Sequence, residues 1–152
     1  MTLRGVLSDQ AADLARVHAA AFEHAWSGEE IAQLLDSSGG FALMVEGAGG
    51  PIAFILCSAI AGEAEILTIA VDPAFRRQGL ARALVEAAAA AARLAGAEAM
   101  FLEVADDNAA ALGLYETVGF ARAGLRRGYY DRGPQGCVDA LVMRLDLGRA
   151  AL

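Results

Sequence analysis

The segment from Glu65 to Arg82 leaves this chain few ways to fold. Ile66, Leu67, Ile69 and Val71 form a short apolar run rich in β-branched residues, the pattern of a strand covered on both faces. Pro73 cannot donate to a sheet ladder and restricts the residue before it, so the strand ends near Asp72. Strong helix formers follow from Leu80 to Leu94, with Leu80, Leu84, Val85 and Leu94 at helical spacing. The helix therefore starts near Gly79, where its first amides lack internal partners and its dipole favours an anion. Gly79 and Ala81 let a phosphate approach the backbone closely, and Arg76, Arg77 and Arg82 supply charge. An ordinary βα turn with solvated arginines is the plainer reading of the same residues.

Arg76-Arg77-Gln78-Gly79-Leu80-Ala81 fits the pattern Arg/Gln-x-x-Gly-x-Gly/Ala, the acetyl-CoA signature of the GNAT N-acetyltransferases. Other phosphate loops do not fit. There is no Gly-x-x-x-x-Gly-Lys-Ser/Thr, and the 12 basic residues are all arginine. Gly47-Ala48-Gly49-Gly50-Pro51 lacks the third glycine of a dinucleotide loop and reads as a hairpin turn.

With 152 residues the chain is expected to form one domain, residues 1–152, large enough for a core without disulfides or metals. Cys57 and Cys137 lie far apart with no metal spacing and are expected inside; His18 and His24 are isolated, and no catalytic or ligand role is expected for either. The apolar run from Ala87 to Ala92 is too short to span a membrane, and no basic-then-apolar leader opens the chain, so a cytoplasmic location is expected. A net charge of −7 argues against direct nucleic-acid binding and agrees with a cationic substrate. No residue pattern specifies an oligomeric state.

Thr2 to Leu7 reads as a strand, followed by a Ser8/Asp9 cap and a helix through about Phe22. Ser27 and Glu30 make a capping box for a second helix reaching about Leu35. Phe41–Glu46 and Ile52–Ile60 pair as a hairpin, and the 65–71 strand and the long helix come next. A strand from Ala99 to Ala105, a helix from about Asn108 to Val118 stopped by Gly119, and strands near 121–130 and 138–145 complete the order. The sequence β-α-α-β-β-β-α-β-α-β-β is that of the GNAT fold. The resemblance implies an α/β (α+β) architecture with a mixed sheet of about seven strands, splayed between the fourth and fifth, and about four flanking helices.

Transfer of an acyl group to an amine needs a neutral nucleophile, a donor for the developing oxyanion and a proton for the departing thiolate. Glu103 lies mid-strand, sharing a face with Phe101 while Leu102 and Val104 share the other. A partly desolvated carboxylate there suits a base; a solvated strand face is the alternative. Tyr115 stands two turns along a helix from Asn108 and could protonate a thiolate, or serve as a core aromatic. Asn108 is a natural helix cap, a role compatible with touching a coenzyme.

Phe101-Leu102-Glu103-Val104, Asn108-Ala109-Ala110-Ala111, Leu114-Tyr115-Glu116, Gly119-Phe120 and Arg126-Arg127-Gly128-Tyr129-Tyr130 together resemble the RimI-type protein N-terminal acetyltransferases. Asp139-Ala140-Leu141-Val142-Met143 and Trp26-Ser27 extend the likeness. The resemblance implies Glu103 as general base and Tyr115 as general acid. It implies acetyl-CoA contacts at Ile69, Ala70 and Val71, at Arg76, Arg77, Gln78, Gly79, Leu80, Ala81 and Arg82, and at Asn108, with Trp26, Tyr130 and Asp139 on the acceptor side and no metal. The acceptor implied is a protein or peptide N-terminus, an alanine of a ribosomal protein in that family. A small-molecule amine acceptor, or a non-catalytic acyl-CoA-binding module, keeps the same fold.

Overall fold

The computed structural model describes residues 1–148. Seven strands form one sheet: β1 (Thr2–Gly5), β2 (Gly40–Gly47), β3 (Gly50–Ile60), β4 (Glu63–Val71), β5 (Ala99–Ala105), β6 (Ala121–Asp131) and β7 (Cys137–Asp146). Four helices accompany them: α1 (Ala11–Ala21), α2 (Gly28–Asp36), α3 (Leu80–Leu94) and α4 (Ala109–Val118). The strand order across the sheet is β1-β2-β3-β4-β5-β7-β6. Every neighbouring pair is antiparallel except β4 with β5, which is parallel. None of the helices among the described residues is long and apolar enough to cross a membrane.

Local chemistry explains most boundaries. Ser27 and Glu30 form the expected capping box at the start of α2. Asn108 Oδ1 accepts from Ala111 N at 3.2 Å and caps α4. That helix stops at Gly119, left-handed at φ 119°, whose N–H returns to Tyr115 and Glu116 carbonyls. The start of α1 departs from expectation: β1 ends at Gly5, and a 3₁₀ turn at Ser8–Gln10 precedes the helix. No side chain of Ser8 or Asp9 caps it; Gln10 Oε1 accepts the Leu7 N–H instead. Gln10 is long enough to reach back over the turn, which removes the need for a short polar cap.

The two sheet faces carry two cores. Leu84, Val85, Ala88 and Ala92 of α3 and Leu112 and Tyr115 of α4 pack with Ile55, Met100, Leu102 and Met143. On the other face Leu14 and Val17 of α1 and Ile31 of α2 pack with Met44, Phe54 and Leu56. Cys57 is buried as expected, but Cys137 is exposed, because it begins β7 beside the outermost strand.

β4 holds the irregularity that matters most. Cys57 of β3 pairs with Ile66 but Leu56 pairs with Thr68, so Leu67 is an extra residue in β4. The bulge shifts the alternation: Ile66, Ile69 and Val71 face the α3 core, while Leu67 and Ala70 face the α1 core. Pairing of β4 with β5 covers only Glu63, Ala64 and Glu65 against Ala99, Met100 and Phe101. Beyond Glu65 the two strands part, and among the described residues no strand lies beside the β5-facing edge of β4 from Ile66 to Val71. This is the splay the resemblance implies.

Candidate active site

At the end of β4, Asp72 accepts the Ala74 N–H and a 3₁₀ turn at Pro73–Phe75 leads into the basic loop. Arg77 (φ 64°) and Gly79 (φ 76°) are both left-handed. Alternation of this kind turns successive N–H groups toward one concavity, the geometry of an anion nest. The first N–H of the helix to find a backbone acceptor is that of Ala83, on Gly79 O. Nothing lies within 4 Å of where a Gly79 Cβ would stand, so the space ahead of the loop is open. Arg76 and Arg77 are exposed, and Arg82 pairs through Nε with Glu86 at 2.8 Å. Arg82 is thus committed along the helix, leaving Arg76 and Arg77 as the more readily available cations.

Over the paired start of β4 and β5, ending where the strands begin to part, a cleft of about 380 Å³ is lined by Ser58, Glu63, Glu65, Phe101, Glu103 and Arg126, among others. Glu103 lies on β5 opposite Val142 of β7, and its side chain is 22% exposed. Its Oε1 stands 3.1 Å from Arg126 Nη2, which reaches across β7 from β6. Glu65, the last β4 residue paired with β5, faces the same cleft. Burial raises its pKa above the ordinary value; the Glu103 carboxylate adds to this and Arg126 opposes it. Neither Glu65 nor Arg126 is singled out as a site residue by the sequence.

Tyr115 approaches from the other face of the sheet. Its ring is buried against Phe120, 5.7 Å away edge-on, and burial pushes its pKa up to about 12. The hydroxyl therefore holds its proton at any physiological pH. No buried side-chain oxygen or nitrogen among the described residues lacks a partner. Tyr130 is within electrostatic range of both Glu103 and Tyr115, and its own pKa is raised, first by burial and then by Glu103. Tyr130 is thus the residue that feels both, while Tyr115 itself does not line the cleft that holds Glu103.

Asp139 is engaged differently. Its Oδ1 accepts the Gly128 N–H at 2.7 Å. Gly128, at φ 60°, lies in the irregular stretch between Arg126 and Tyr130 of β6. Asp139 thereby fastens the bulge that carries Tyr129 and Tyr130.

Trp26, in the connection from α1 to α2, stacks on His18 with centroids 5.3 Å apart. His18 is only 2% exposed. Its Nδ1 accepts the Trp26 N–H at 3.1 Å, so Nε2 carries the ring proton and donates to Thr68 Oγ1 at 3.1 Å. One imidazole thus joins the α1–α2 connection to the β4 bulge, a tertiary role with no sequence signature. Burial lowers the His18 pKa below 6.5, partly offset by Glu30. A folded state that binds this proton less tightly than the unfolded chain is fully stabilised by His18 above pH 6.5 and loses that stability as pH falls through the folded-state value. Denaturant midpoints at pH 7.5 and 5.5 are therefore expected to differ more for the wild type than for His18→Gln. Equal differences would show that His18 does not titrate against the fold.

A basic loop beside a sheet that opens on one side suits transfer of a small group from a phosphate-bearing carrier lying along the free β4 edge. Comparison with known proteins agrees: the chain belongs to the acetyltransferase (GNAT) family, which it matches over residues 10–120. It is 41% identical over 99 residues to the [ribosomal protein bS18]-alanine N-acetyltransferase of Escherichia coli K12. That alignment covers 65% of this chain and 66% of the E. coli protein, just under two thirds of its length. The N-alpha-acetyltransferase RimI of Mycobacterium tuberculosis is 45% identical over 86 residues, 57% of this chain and 51% of that protein. The crystal structure of the E. coli ribosomal-protein-S18-alanine N-acetyltransferase superposes with a TM-score of 0.89 at 31% identity, over 99% of this chain and 96% of that one.

Proposed function

We propose that this protein transfers the acetyl group of acetyl-CoA to the N-terminal α-amine of a protein, an alanine of a ribosomal protein, by direct transfer within one domain. The observation that carries the reading is the parting of β4 and β5 beyond Glu65, with Glu103 on one wall of the opening. The names of the E. coli and M. tuberculosis relatives support the choice of a protein N-terminus.

The coenzyme fits the residues present. Free amides at the head of α3, the left-handed Arg77 and Gly79, and Arg76 and Arg77, unpaired among the described residues, suit its phosphates. Gln78, Leu80, Ala81 and Arg82 complete that turn, and the free edge at Ile69, Ala70 and Val71 offers amides to an extended chain and a carbonyl. Asn108 spends its Oδ1 on the α4 cap and keeps its amide N–H groups for the coenzyme. When bound, acetyl-CoA supplies an acetyl group activated as a thioester. Glu103 takes the proton of the acceptor amine and Tyr115 gives one to the departing sulfur. Trp26, Tyr130 and Asp139 shape the acceptor side, Asp139 through the β6 bulge. Cys57 is buried, its thiol pushed up to about 12, which makes it a poor nucleophile and supports transfer without a covalent intermediate on the enzyme. A cytoplasmic setting goes with ribosomal acceptors.

The α-amine suits so mild a site: its pKa of about 7.7–8.0, against about 10.4 for lysine, leaves an appreciable neutral fraction. Specificity constants for an alanine-starting peptide and for a panel of small amines test the acceptor class. The peptide is expected to exceed every small amine by a wide margin; a small amine equal to it would move the protein to the small-molecule acetyltransferases. Gly79→Val forces a branched residue into a left-handed conformation, at roughly 1–2 kcal/mol, and fills the space ahead of the loop. Calorimetry is expected to show coenzyme A bound about tenfold more weakly; unchanged affinity would place the phosphates elsewhere.

A further inference from the structure

Resting on the reading of an α-amine acceptor, we infer that Glu65 is an acceptor-binding residue: together with Glu103 it brackets the α-ammonium group, and so selects cationic N-termini. The cleft carries an unbalanced charge. Glu65 and Glu103 face one guanidinium, Arg126, and only Glu103 is within ion-pair distance of it, at 3.1 Å. The Glu65 carboxylate has no ion-pair or hydrogen-bond partner among the described residues, although it feels both Glu103 and Arg126 electrostatically. The trio therefore holds one uncompensated negative charge, and Glu63 at the first position of β4 adds another at the cleft wall. One bound ammonium completes an alternating arrangement of two carboxylates and two cations.

The backbone determines why Glu65 is the residue for this. It is the last β4 residue still paired with β5, so its side chain sits at the closed end of the opening, two residues short of Glu103 in parallel register. A substrate amine entering toward the free edge of β4 passes between the two carboxylates. Ser58, paired with Glu65 across β3, lines the same end and adds a hydroxyl. Glu65 is exposed in the free protein, where an incoming amine can reach it. A cleft closed over by coenzyme and peptide excludes water, which strengthens a charge-assisted hydrogen bond from the ammonium. The ammonium is the form held; its proton then passes to Glu103 before the amine attacks.

The test uses the intact protein, an alanine-starting peptide, and the same peptide with a propionyl group in place of the alanyl residue. The second peptide has the same shape and no amine. Wild type is expected to bind the amine peptide more tightly than its des-amino analogue, read as KM against the inhibition constant. In Glu65→Gln that preference falls about tenfold, the amount expected for one hydrogen bond to a charged group. Glu65→Asp, which restores the charge, recovers most of it, and acetyl-CoA affinity is the same in all three proteins. A preference unchanged in Glu65→Gln overturns the assignment, as does a loss that Glu65→Asp fails to repair. If wild type acetylates no α-amine peptide at all, the functional reading itself fails and takes this assignment with it. That result is separate from an active enzyme indifferent to Glu65.

Discussion

Tyr115→Phe is expected to lower turnover about a hundredfold while leaving acetyl-CoA affinity within a factor of two, since a positioned general acid contributes about 10²–10⁴ in rate. The ring packs edge-on against Phe120 among the buried residues of α4, and phenylalanine keeps that packing. Only the hydroxyl is lost. With its pKa pushed up to about 12, the phenol is fully protonated at assay pH, which is the state a proton donor must hold before the bond to sulfur breaks. The loss should consequently be flat from pH 6 to 9, because nothing in the phenol titrates there. Steady-state turnover paired with coenzyme binding by calorimetry checks both halves. Unchanged turnover would remove Tyr115 from the chemistry, and lost coenzyme affinity would make it a packing residue.

Glu103→Gln is expected to produce a loss of similar size with a different pH signature. Glutamine keeps the shape of the side chain on β5 but cannot accept the amine proton. The variant must wait for acceptor that is already neutral, and that fraction grows as pH rises through about 7.7–8.0. At pH 7 its turnover should be about a hundredfold below wild type, and the gap should narrow above pH 8. Arg126 loses its partner in this variant, but the guanidinium is 57% exposed and stays hydrated, so the fold should persist. A deficit of the same size at every pH would assign Glu103 to positioning. No deficit would pass the proton to another group, with Glu65 first in line.

How much of this is legible in the chain depends on how local each signal is. The βα loop is local, and its helix runs from Leu80 to Leu94 as spacing predicts. The strand from Ala99 to Ala105 and the glycine stop at Gly119 are likewise written in neighbouring residues. The start of α1 is local too, but the group that takes the Leu7 amide is the Gln10 side chain and not the short polar pair Ser8 and Asp9. The bulge at Leu67 depends on the register of β4 against β3, which no single strand encodes. Glu65 looks like any strand-opening carboxylate until β5 departs beside it. The Glu103–Arg126 pair spans β5, β7 and β6, and the imidazole of His18, which holds Trp26, reaches Thr68 across 50 positions. These long-range contacts arise from the folded sheet, so the residues proposed as general acid and base could be named from motif while their electrostatic neighbours could not.

The central claim is transfer to an α-amine. Its most direct test is acetyl-CoA turnover with two peptides, one with a free N-terminal alanine and one blocked at the N-terminus but carrying lysine. With no lysine in the enzyme, no acetyl-lysine can arise from the enzyme itself. Acetylation of the free α-amine alone is the predicted result; transfer to the lysine peptide at a comparable rate, or to neither with coenzyme bound, would contradict it.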